Sequence, residues 1–99
     1  MADAIDVSHW QGTIDWSQVA TSDLRMAICK ATEGTSWVDP RFAINWLGVE
    51  QNLEFRGAYH FMVPDMSPIQ QADHFVATVK DQGLRPTDVL AIDCEVDSL

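Results

Sequence analysis

The sequence predicts an α/β fold built on a parallel sheet, and three observations predict it. Four short runs of strand-forming residues begin near Ala4, Met26, Arg56 and Val89, and stretches of helical periodicity separate them. The longer runs are apolar on both faces, which a sheet covered by helices requires. Repeated strand–helix–strand units imply parallel strands joined by right-handed crossovers. Composition agrees. Of 99 residues, 46% are hydrophobic and 21% charged, which suits one folded domain with a modest core. No internal repeat, low-complexity tract or linker divides the chain, so residues 1–99 are one domain or part of one.

In order, Ala4-Ile5-Asp6-Val7-Ser8 reads as a short strand with Asp6 facing opposite to Ile5 and Val7. Trp10-Gln11-Gly12 is a loop in which Gly12 can take unusual backbone angles. Asp15 has the position of a helix N-cap, with Gln18 three residues on, and Trp16, Val19 and Ala20 supply the apolar side. Met26 to Thr32 is a second strand, broken only by Lys30. A loop through Trp37 leads to Asp39-Pro40, an acidic cap with proline at the first helical position. Phe42, Trp46 and Val49, widened by Ala43 and Leu47, then predict an amphipathic helix from Arg41 to about Gln51. Arg56 to Met62 is the third strand. Ser67-Pro68 repeats the cap signal, and Ile69, Ala72, Phe75, Val76 and Val79 mark a helix that Gly83 and Pro86 stop. Val89 to Glu95 is the fourth strand, in which Asp93 and Glu95 share a face and Cys94 takes the other.

The strand ends carry the chemistry. Asp6, Lys30 with Glu33, Tyr59-His60, and Asp93 with Glu95 all fall at or near the C-terminal ends of predicted strands. That edge of a parallel sheet holds the ligand site in α/β barrels and open sheets alike. An isolated D-x-E is weak on its own. Acids from the first and fourth strands, with a Lys-Glu segment and a tyrosine between them, form a cluster that a purely structural sheet has little reason to keep. Carboxyl groups brought this close push their pKa values apart, and a pair about 6.5 Å apart along a strand can act on one bond.

These residues resemble a known family. Asp6-Val7-Ser8 with Gln11-Gly12, Ile14-Asp15-Trp16, Lys30-Ala31-Thr32-Glu33-Gly34, Asp39 with Phe42, Gly57-Ala58-Tyr59-His60-Phe61, Gln71-Ala72 with Phe75, and Asp93-Cys94-Glu95 stand in the order of the glycoside hydrolase family 25 lysozymes. These are the Chalaropsis-type N-acetylmuramidases of bacteria and phage endolysins. The resemblance runs from Asp6 to Glu95. It implies a parallel β/α barrel of the family 25 type, and hydrolysis of the β-1,4 bond between N-acetylmuramic acid and N-acetylglucosamine in peptidoglycan. Glu95 corresponds to the general acid, for which a raised pKa is suited. Asp93 corresponds to the acid that orients the substrate's own acetamido group, the nucleophile of a substrate-assisted retaining mechanism. Asp6 is a supporting carboxylate, and Lys30, Glu33 and Tyr59 line the groove. No cofactor or metal is implied.

Other residues read more plainly. Trp10, in the loop after the first strand with His9, is placed to stack on sugar. Trp37 is placed either to stack on sugar or to cover the barrel rim. Trp16 and Trp46 sit on apolar helix faces and His60 opposite Tyr59, all as core, while His74 is read as surface. Cys29 and Cys94 lie in apolar runs without metal-ligand spacing, and are read as buried free thiols, with a disulfide left open.

A net charge of −9 argues against nucleic acid and anionic membrane surfaces as partners. No run reaches the roughly 18 apolar residues of a membrane span. The N-terminus has neither a basic region nor a hydrophobic signal segment, so the expectation is cytoplasmic synthesis with endolysin-like release to the bacterial wall.

Length sets the remaining question. A complete barrel has eight strands and typically more than about 200 residues; this sequence predicts four β/α units, an N-terminal half of a family 25 catalytic domain. Three explanations compete: a truncated longer enzyme, two copies that close one barrel, or a separate chain that supplies the other half. A non-catalytic half-barrel that binds wall glycan or assembles with a partner is the alternative function. An unrelated chitinase-like glycosidase with a D-x-E site is a third.

Overall fold

The computed structural model describes residues 4–95. Four parallel strands form the sheet in the order β1 (Ala4–Val7), β2 (Met26–Glu33), β4 (Phe55–Phe61), β5 (Val89–Asp93). A two-residue strand β3 (Trp37–Val38), expected as loop, pairs antiparallel with the end of β2. The chain just beyond the Gly34 turn has enough extended backbone to satisfy the β2 end locally. The predicted loop after β1 contains a 3-10 turn, His9–Gln11, closed by a Ser8–Gln11 capping box and followed by Gly12 at φ 66°.

Three helices connect the strands: α1 (Trp16–Val19), α2 (Phe42–Asn52) and α3 (Pro68–Gln82). Asp15 caps α1 by accepting from the Gln18 N–H, and Ser67 caps α3 by accepting from Gln70. The α2 start differs from expectation. Its N-cap is Arg41, with no side-chain cap, and Asp39 is buried one turn earlier. There Asp39 accepts from the Arg41 N–H at 2.8 Å and from His9 across the loop, a stronger demand on a buried carboxylate than capping.

Helices α2 and α3 both pack on β2, and α1 packs on α2. Val7, Ala27, Cys29, Ala31 and Ala58 from the sheet meet Trp16, Phe42, Trp46, Val49, Phe75 and Val79 from the helices in one core. Small side chains on the sheet leave room for aromatic ones on the helices. The helical stripes are narrower than predicted: Ala43, Leu47, Ile69 and Ala72 are exposed, and Asn45 and Gln71 take buried positions instead. Both amides are satisfied. Asn45 accepts from the Trp16 indole at 3.3 Å, while Gln71 bonds Val63, Met66 and His60. His60 is fully buried, as expected, and also pairs with Thr32 at 2.7 Å. Cys29 is buried, but Cys94 is exposed, contrary to the expectation of two buried thiols. Strand β5 ends at Asp93, so Cys94 has already left the sheet.

A buried arginine joins the layers. Arg56 on β4 is 1% exposed and donates twice to Asp88, at 3.0 and 2.6 Å. It also donates to Glu50 on α2 at 2.8 Å and to the carbonyls of Trp46 and Gly83. Its guanidinium lies 3.7 Å from the centre of the Trp46 ring. Every donor direction of the planar fork is used, which is why arginine suits a closed site of this kind.

Candidate active site

Residues paired across parallel strands share a face, so the register assigns the inner surface. Asp6 pairs with Ile28, Lys30 with Tyr59, Tyr59 with Ala91, and Phe61 with Asp93. At the C-terminal ends of these strands an open cavity of about 340 Å³ is lined by Asp6, Ile28, Tyr59, Ala91, Ile92, Asp93 and Glu95. The three acids and the tyrosine singled out in the sequence therefore meet. Glu95 lies two residues past the strand and reaches the cavity all the same. Its freedom from the ladder leaves the carboxyl exposed.

Tyr59 registers the company it keeps. Burial, and then the negative charges of Asp6 and Asp93, push its hydroxyl up to about 12. The phenol thus stays a neutral donor in a carboxylate-lined cavity across the physiological range. Tyr59 is the one tyrosine of the chain, so ultraviolet absorbance follows it without ambiguity. The expected titration has a midpoint near pH 12 rather than the usual value of about 10. Asp93→Asn lowers that midpoint, whereas an unchanged titration would separate the two side chains. Because the folded phenol holds its proton longer than the unfolded one, stability falls as pH rises from about 10 to 12 and is unaffected below.

The predicted groove residues Lys30, Glu33 and Trp10 line a second cavity of about 360 Å³, with His9, Gly34, Thr35, Ser36, Trp37, Val63 and Met66. Lys30 and Glu33 are three apart in one strand, a spacing that ordinarily sends side chains to opposite faces. The register of β2 against β4 shifts between Lys30 and Thr32. Ala31 is the extra residue of this bulge, and it returns Glu33 to the inner face. Lys30 Nζ consequently reaches Glu33 Oε1 at 2.7 Å, and lies 4.9 Å from the Trp37 ring and 5.1 Å from the Phe61 ring. The predicted site is thus divided: Asp6, Tyr59, Asp93 and Glu95 share one cavity, and Lys30, Glu33 and Trp10 share the next. Lys30 and Tyr59, neighbours in register, stand on either side of the division.

Sequence reading missed Asp39 as a member of this region. Its Oδ2 accepts from His9 twice, from the backbone N–H at 3.0 Å and from Nδ1 at 2.9 Å, and its side chain is fully buried. The signal available was an Asp-Pro pair, which capping chemistry explained equally well. Among the described residues, no group of three or more His, Cys, Asp or Glu side chains is arranged to hold a metal ion.

Residues 5–98 match the family model described as glycosyl hydrolases family 25. Over 74 residues the chain is 47% identical to Lysozyme M1 of Streptomyces globisporus, covering 74% of this chain and 25% of that protein. It is 36% identical over 72 residues to an N,O-diacetylmuramidase of Arthroderma benhamiae, covering 73% of this chain and 31% of the relative. The structure of a family 25 glycosyl hydrolase from Bacillus anthracis superposes with a TM-score of 0.88 at 32% identity, covering 96% of this chain and 43% of that one. The matched segments make up about a quarter to a third of the length of these curated relatives.

Proposed function

The chain belongs to glycosyl hydrolases family 25, and on that premise we propose that it supplies the acid–carboxylate centre of a lysozyme acting on peptidoglycan. The reaction is cleavage of the β-1,4 bond from N-acetylmuramic acid to N-acetylglucosamine. The observation that carries this reading is the convergence of Asp6, Tyr59, Asp93 and Glu95 on one open cavity at the strand ends.

The steps follow from the groups present. Glu95 donates its proton to the glycosidic oxygen as the bond to the anomeric carbon breaks. Asp93 accepts from the N–H of the substrate's acetamido group, so that its carbonyl oxygen attacks the anomeric carbon and forms a cyclic oxazolinium ion whose positive charge the Asp93 carboxylate balances. Water then opens the ring, giving up a proton to the Glu95 carboxylate and restoring the starting state. Asp6 adds negative charge beside the developing positive centre, and the neutral Tyr59 hydroxyl is available to donate to a sugar oxygen.

Within the sheet, β1 and β5 each have one paired edge among the described residues, and Val89, Leu90 and Ile92 of β5 are exposed. An apolar strand left this way invites another element. We therefore also propose that these four β/α units are the first half of a barrel that further strands close. Light scattering reads whether a second copy supplies them. Twice the 11.1 kDa chain mass supports self-closure, and a single mass assigns the closing strands to other sequence. Delivery to the bacterial wall in the manner of a phage endolysin belongs to the same proposal.

The test of function is release of reducing ends from purified peptidoglycan, with chitin as the comparison polymer. New reducing ends carried by muramic acid support the assignment. Chitin turnover without wall turnover would replace it.

A further inference from the structure

We propose that Thr32, His60 and Gln71 form a clamp behind the sheet that fixes the height of the β4 end and, through it, the Tyr59 hydroxyl and the Asp93 carboxylate. The three are thus positioning residues for the hydrolysis. The proposal rests on the lysozyme reading and deepens it.

All three side chains are fully shielded from solvent, at positions where apolar residues of similar volume would pack without the cost of burying polar atoms. Each polar atom of the trio has a partner. Gln71 Nε2 donates to the carbonyls of Val63 at 2.9 Å and Met66 at 3.2 Å. Its Oε1 is left to accept, from the Val63 N–H at 2.9 Å and from His60 Nε2 at 2.9 Å. That order fixes the histidine: Nε2 carries the proton, and Nδ1 accepts from Thr32 Oγ1 at 2.7 Å. The Phe75 ring, 5.6 Å from that of His60, closes the apolar side. A chain of bonds, each with one direction, runs from β2 through β4 to α3. Buried networks satisfied in this way are rigid and specify one arrangement.

The clamp lies opposite the acids. His60 points to the helix side of β4, and its neighbours Tyr59 and Phe61 point to the inner side. Its grip is on the last ladder positions, where Thr32 pairs with His60 just past the Ala31 bulge, His60 pairs with Ile92, and Phe61 pairs with Asp93. Beyond the ladder, the Met62 N–H donates to Asp93 O at 2.9 Å and the Gly34 N–H to Phe61 O at 3.3 Å. The backbone of Asp93 is therefore hung just past His60, and Tyr59 comes just before it. Asp6 is held otherwise, since its strand pairs with β2 only upstream, at Met26 to Cys29. A displaced β4 end would carry the phenol and Asp93 away from Asp6 together. Misplacing a reacting group by about 1 Å can cost on the order of a hundredfold in rate.

The experiment compares the parent chain with Thr32→Val, which keeps the side chain's shape and removes its hydroxyl, and with Thr32→Ser, which returns it. Turnover of purified peptidoglycan is measured, and the Tyr59 titration is followed by ultraviolet absorbance, with circular dichroism at each pH to certify the fold. The His60 ring nitrogens are read by nuclear magnetic resonance. Thr32→Val is expected to lower kcat about tenfold with KM within about twofold of the parent. It is also expected to bring the Tyr59 midpoint down from near pH 12 by about one unit, as the phenol gains water at the loosened strand end. Thr32→Ser should recover most of both losses. A merely structural residue would lower stability and leave the midpoint of the folded variant alone. A folded Thr32→Val in which either the midpoint or kcat stays at the parent value would overturn the proposal. Should that variant fail to fold, the parent decides: a proton on Nε2 of His60 that resists exchange with water supports the clamp, and a proton on Nδ1, or rapid exchange, overturns it. Absence of wall hydrolysis by the parent would instead sink the lysozyme reading, and the Tyr59 midpoint alone would then decide whether the trio sets the cavity.

Discussion

Glu95→Gln is expected to lower kcat for reducing-end release from peptidoglycan by about 10²- to 10⁴-fold, the usual worth of a positioned proton donor. The amide keeps the shape and hydrogen-bonding reach of the acid but has no proton to give to the departing oxygen. Glu95 follows the end of β5 and is exposed, so the exchange disturbs no core contact and the variant should unfold at the parent's denaturant midpoint. Wall binding should be retained, which places the loss in the chemical step rather than in substrate capture. Asp93→Asn tests the companion role. An asparagine whose side-chain oxygen faces the acetamido N–H retains part of the orientation, so its loss is smaller. Turnover indifferent to Glu95→Gln would remove the proton donor from this cavity and the mechanism with it.

The largest expected effect on stability comes from Asp88→Ala, at about 3–5 kcal/mol in urea unfolding. Asp88 is closed off from solvent and takes both arms of Arg56. Burial pushes the Asp88 carboxyl up, but hydrogen bonds from Arg56 and from the Arg85 N–H, with the charges of both arginines, outweigh it and hold the group below the ordinary carboxylate range. Its contribution is therefore fully present above about pH 4 and is lost as acid protonates the folded state. Removing Asp88 strands a guanidinium that is 1% exposed, with only half-exposed Glu50 and two carbonyls to answer it. Against a typical domain stability of 5–15 kcal/mol this is a large fraction. The double variant Arg56→Met, Asp88→Leu should recover much of the loss, because the expensive species is the lone buried charge rather than the missing pair. A single variant no less stable than the parent would show that water reaches Arg56.

How far the sequence carried the fold depends on what each signal measures. Alternation and helical spacing report burial, so the four parallel strands, α2, α3 and the caps at Asp15 and Ser67 were legible from residue order alone. The same signals misplaced Ala43, Leu47, Ile69 and Ala72, because apolar spacing cannot tell a core stripe from its exposed shoulder. Polar residues were the harder case. Asn45, Arg56 and Gln71 are buried because distant backbone groups and acids meet them, and those partners become neighbours only after folding. The site divided along the same line. Asp6, Tyr59, Asp93 and Glu95 were found by their place at strand ends, a matter of local order. The division into two cavities and the part played by Asp39 depend on contacts some thirty residues apart in the chain.

The bulge at Ala31 has a consequence for how this strand tolerates change. Upstream of it, odd and even positions of β2 belong to one in-out phase; downstream they have exchanged. Flattening the bulge with Ala31 still in the ladder would turn Glu33 toward the helices and Thr32, the partner of His60, toward the inner face, whereas deleting Ala31 would keep both on the faces they hold now. One lost codon at Ala31 would thus leave a polar pair on each side of the sheet in place, whereas a substitution that favours the unbulged ladder would disturb both.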